Sequence, residues 1–86
     1  MIPSCNQFGP WTPGLKAAER GARLRAMRTL ARVQCGPRAA DLVRLLAQAE
    51  ADPAALEPAL AALNRLASHD RRHVLASYAA LSRSAA

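Results

Sequence analysis

Ala51-Asp52-Pro53-Ala54-Ala55-Leu56-Glu57-Pro58 decides the fold, because it places two prolines five residues apart inside an Ala- and Leu-rich run with no strand-like alternation. Proline lacks the N–H that a helix interior needs, and its fixed φ suits a first helical turn. The stretch therefore reads as a single turn over Pro53–Leu56, capped by Asp52, followed by a new helix from Pro58 to Ala67. Working outward, Cys35-Gly36-Pro37 marks another break, with glycine as the stop signal and proline confirming it. The expected fold class is all-α: a small compact bundle of four short helices over residues 14–86, preceded by an irregular N-terminal arm, residues 1–13.

The first helix is expected from Leu15 to Gln34, with Leu15, Ala22, Ala26, Leu30 and Val33 inward and Met27 at the edge. Arg25, Arg28 and Arg32 stack on the opposite side, and Lys16, Arg20 and Arg23 form a second basic stripe. The second runs from Pro37 or Arg38 to Ala51, with Leu42, Leu45, Leu46 and Ala49 on the i, i+3, i+4, i+7 template. Leu56, Leu60, Leu63 and Ala67 form the expected stripe of the third. The last is expected from His69 to about Ser82, capped by Ser68, with Val74, Leu75, Tyr78 and Leu81 inward and the remainder frayed.

Of 86 residues, 21 are Ala and 12 are Leu, with three Val and one each of Phe, Trp, Tyr and Ile. So thin a core makes dimerisation or a partner a natural supplement to stability, and a homodimer is one expectation. Twelve basic residues against six acidic give a net charge of +6, and Arg accounts for 11 of the twelve. Ala is equally enriched, so a GC-rich coding bias explains the Arg preference better than phosphate recognition does, while the charge itself still acts on partners. Two cysteines form neither a disulfide framework nor a zinc-ligand pattern, and no stretch approaches the roughly 20 apolar residues of a membrane span. A cytoplasmic protein with no membrane association is the expectation.

Catalytic constellations are missing: the acids Glu19, Asp41, Glu50, Asp52, Glu57 and Asp70 are scattered toward helix ends, and no nucleophile has a base beside it. Neither an enzyme nor a cofactor is expected. His69-Asp70-Arg71-Arg72-His73 echoes a two-histidine zinc helix, but the usual Glu and a third ligand are lacking and two Arg oppose a dication, so a solvated polar face is preferred to a metal site. Cys35 falls at a helix C-terminus, which disfavours a thiolate, and reads as a buried structural residue.

What remains is binding. Phe8 and Trp11 in the arm read either as cover for the core or as anchors for a partner. Seven of the twelve basic residues lie between Lys16 and Arg38. The preferred reading is a small regulator or inhibitor that occludes another protein with an acidic or amphipathic surface, such as a transcription factor or a nucleic-acid-handling complex. Its anchors would be Phe8 and Trp11, and Arg25, Arg28 and Arg32 would steer association. The competing reading is a direct nucleic-acid binder using Lys16, Arg20, Arg23, Arg71 and Arg72, with the last two helices as a helix-turn-helix. Asp70, in the first turn of the last helix, stands against phosphate binding there.

Overall fold

The structure, a computed structural model, describes residues 9–85, with side chains described through residue 81. It is all-helical and compact, with a Cα radius of gyration of 11.6 Å. Its α-helices are α1 (Ala17–Cys35), α2 (Ala40–Ala51), α3 (Leu56–Arg65) and α4 (Ser68–Ala85), with 3-10 turns at Gly36–Ala39 and Pro53–Ala55.

Each break follows from its sequence. Gly36 takes φ +58° and ψ −134°, a backbone that side-chain-bearing residues rarely adopt, and its N–H closes α1 on the Arg32 carbonyl. Pro37 then sits in the first positions of a 3-10 turn that delays α2 to Ala40. At the second break the Asp52 side chain accepts from the Ala54 N–H, as its capping role requires. Pro58 falls inside α3 after all, as its third residue. The first-turn N–H groups of a helix have no intrahelical acceptor, so proline costs no hydrogen bond there. At α4 the Ala67 carbonyl, rather than Ser68, receives the first helical bond, from the Arg71 N–H.

The largest fully buried side chains include Leu24, Met27, Leu42, Leu46, Leu63 and Val74. Full burial of such a side chain stabilises by about 1.5–3 kcal/mol, so a handful of them carries most of the apolar driving force. Ala31, Ala39, Ala49, Ala55, Ala59 and Ala62 fill the spaces between them. Helix α1 is the spine, packing against both α2 and α4, while α3 packs on α2.

The inward face of α1 corrects the sequence expectation. Leu24, Met27, Ala31 and Cys35 are buried, whereas Ala22 is exposed and Val33 is 76% exposed. Of the expected stripe of Leu15, Ala22, Ala26, Leu30 and Val33, only Ala22 and Val33 are exposed; Leu15 is half-buried, and half-buried Ala26 and Leu30 pack against the core. In α3 the buried positions are Ala59, Ala62 and Leu63; Leu56 and Leu60 are half-buried and Ala67 is exposed. In α2, Leu45 is only half-buried, and in α4 Leu81 is 47% exposed, with Leu75 half-buried beside the buried Val74 and Tyr78. Alanine-rich wheels have little contrast between faces, so interhelical geometry, not side-chain bulk, decides which face turns in.

Candidate functional site

Where the cationic side chains go determines what surface is left for a partner. Arg20 and Arg23 come from the first turns of α1, beside the incoming segment, and turn back onto it. Arg20 Nε donates to the Pro10 carbonyl at 3.0 Å and its Nη2 to the Thr12 carbonyl at 2.9 Å. Arg23 Nη1 donates to the Gly9 carbonyl at 3.3 Å, and Nη2 pairs with Glu19 at 2.8 Å. These guanidiniums hold the segment down, so Arg20 and Arg23, two of the cations expected on a nucleic-acid surface, are engaged within the molecule. Arg71 Nη1 likewise donates to the Asn64 and Leu66 carbonyls at 3.1 and 3.3 Å, tying α4 to the end of α3.

Trp11 is half-buried against the core, and its Nε1 donates to the Leu56 carbonyl at 2.8 Å. That contact fixes the segment on the N-terminal turn of α3. Of the two expected aromatic anchors, Trp11 is thus held half-buried against the molecule's own core, while Phe8 lies outside the described residues.

Arg25 and Arg28 converge on Glu50 of α2, with nitrogen–oxygen distances of 3.6 and 3.1 Å. Glu50 Oε2 is buried and lies off the Arg28 donor line, so it gains an ion pair without a hydrogen bond. Arg32, the third of that row, is exposed and has no polar partner among the described residues, as is the case for Lys16, Arg65 and Arg72.

Asp70 is the buried carboxylate, 7% exposed, and Arg38 grips it with both prongs at 2.8 and 3.1 Å. That hydrogen bonding holds the Asp70 carboxyl below its ordinary pKa, against the opposing effect of burial; Arg38, His69 and His73 add favourable charge. Burial, with the Asp70 charge beside it, pushes the Cys35 thiol above its ordinary value, only partly offset by Arg38. Cys35 is 2% exposed, as a structural thiol should be, and Cys5 lies outside the described residues.

The helix-turn-helix expectation does not survive. Only Leu66 and Ala67 separate α3 from α4, and the two helices scarcely touch beyond that connection, whereas a recognition helix needs its predecessor packed across it. Turning Asp70 inward does, however, remove the acid thought to oppose phosphates. The outward face of α4 carries His69, Arg72 and His73 around a shallow open depression, with the two imidazole centroids 6.3 Å apart. No group of three potential metal ligands occurs among the described residues. No described helix is long and apolar enough to cross a membrane.

Two surfaces therefore remain open: the outward face of α1 and the start of α4. The first is apolar between cations and is legible only after the inward face is known. The second is lined by one guanidinium and two imidazoles. No family of known proteins describes this chain, and neither a curated protein nor a solved structure matches it.

Proposed function

We propose that this is a non-catalytic binding protein that occludes a surface of another protein, and that the outward face of α1 is its contact face. The observation that carries this reading is Val33, 76% exposed on a helix whose buried residues line the other side. Exposed Ala22 shares that outward side, and half-buried Leu15, Ala26 and Leu30, the last two packed on the core, edge it to form an apolar seam. Arg25 and Arg32 border the seam on one flank and Lys16 on the other.

An apolar seam between cationic borders complements an amphipathic helix with an apolar ridge and acidic flanks, and that is the partner we assign. A second copy of the chain is a poorer occupant, because two molecules of net charge +6 repel as they approach. Regulation by masking fits such a face. The target's helix, once seated here, is unavailable to anything else, and the cations speed its capture.

The test uses a designed helical peptide with leucines on one ridge and glutamates on both flanks, followed by amide chemical shifts of the labelled protein. Shifts confined to α1 are expected, and Val33→Glu should weaken binding about tenfold or more while leaving the helical signal intact. Shifts elsewhere, or equal affinity of Val33→Glu, would refute the assignment. So would a dimer in sedimentation that dissociates on Val33→Glu, which would give the seam to self-association.

A further inference from the structure

We propose that the start of α4 is a contact site for the phosphodiester backbone of a nucleic acid, with Arg72 as the charged contact and His69 and His73 as neighbouring ring N–H donors. The site is independent of the protein-binding seam on α1. His69, Arg72 and His73 share the outward face of the helix and line one depression, and all three are exposed. Arg72 is without a polar partner among the described residues, so its guanidinium is free to meet a phosphate. Arg65, also exposed and unpartnered, closes α3 just before the connection and adds positive potential.

The local acid does not cancel this field. Asp70 is turned inward and bound by both prongs of Arg38, so the pair is close to neutral when seen from the surface. Glu57 lies at the opposite end of α3.

Shape selects the class of anion. A free phosphate ion is held by a cradle that surrounds it, and this depression is open. An open cationic shelf suits an anion that is already positioned by its neighbours along a polymer. Beyond the depression the same face continues as exposed Ala76 and Ala80, whose small side chains let a backbone lie close to the helix.

The experiment is a fluorescence-anisotropy titration of the full chain with labelled single-stranded and duplex oligonucleotides over a range of salt, repeated with Arg72→Ala and with His69→Ala/His73→Ala. Inorganic phosphate is titrated in parallel by amide shifts. Expected are a log-log salt slope shallower by about one for Arg72→Ala, weaker binding by the histidine variant, and weak or no response to inorganic phosphate. These positions are exposed, so unchanged circular dichroism is the control for folding. Oligonucleotide binding that neither variant alters, or no binding at low salt, would overturn the proposal. Saturable phosphate binding at the same amides with no oligonucleotide binding would replace it with a small-anion site. Val33→Gln, which leaves the net charge unchanged, should leave oligonucleotide affinity unchanged, which keeps the failure of one site distinguishable from failure of the other.

Discussion

Gly21 and Gly36 are both glycines of the α1 region, and only one of them needs to be. Gly36 holds φ +58°, where a Cβ is strained whatever space surrounds it, so Gly36→Ala should destabilise by about 1–3 kcal/mol. At Gly21 an added Cβ meets nothing closer than the flexible Arg25 Nη1 at 3.5 Å, an ordinary contact. Gly21→Ala should therefore stabilise by up to about 1 kcal/mol through helix propensity, and thermal melts of the two variants should move in opposite directions. Asp70 provides the pH dependence. Its folded pKa lies below the unfolded value, so folding favours the ionised form. The resulting stability is complete above the unfolded carboxylate pKa of about 4 and is lost as pH falls through the lower folded value. Urea midpoints for the native protein should drop across that acid window, and in Arg38→Ala the drop should be shallower. An equally steep fall in the variant would show that another carboxylate is responsible.

Among the elements, the segment before α1 is as much a part of the packing as the helices. Trp11 reaches 45 residues along the chain to the Leu56 carbonyl, and Arg20 and Arg23 hold the residues on either side of it. Trp11→Phe keeps most of the apolar contact and removes the donor, so a loss of about 1 kcal/mol is expected. Trp11→Ala should cost clearly more because contact with the core goes too. Denaturation curves of the two variants separate these contributions, and equal losses would mean that the hydrogen bond is the whole effect. The helix breaks at Gly36, Pro37, Asp52 and Pro53 were legible from sequence because each acts on backbone within a few residues of itself. The facing of α1 was not. Ala22, Ala26 and Val33 are as apolar as Ala31 and Cys35, and only the positions of α2 and α4 distinguish them. For the candidate surfaces the same division holds: Arg32 and Arg72 were legible as cations, while the diversion of Arg20, Arg23 and Arg71 to backbone carbonyls depended on neighbours that a sequence does not place.

Over the whole molecule, the net charge of +6 is less evenly presented than composition implies. Glu19, Asp41, Glu50 and Asp70 each lie against an arginine, which leaves Lys16, Arg32, Arg65 and Arg72 as described cations without a polar partner. Field and contact surface thus concentrate on α1 and around the α3–α4 junction. Inside, the thinness of the core makes every large residue matter: Leu46→Ala should cost about 2–5 kcal/mol, a large share of the stability of a domain this size, and a melt shifted by only a degree or two would contradict the packing described. The sealed thiol at the end of α1 has a further consequence. Once Cys5 is replaced by serine, Cys35 is the one sulfhydryl left in the chain, and a modifying reagent reaches it when the interior opens. With reagent in excess its labelling becomes a clock, one irreversible tick per opening, so the chain carries its own record of how long the folded state lasts.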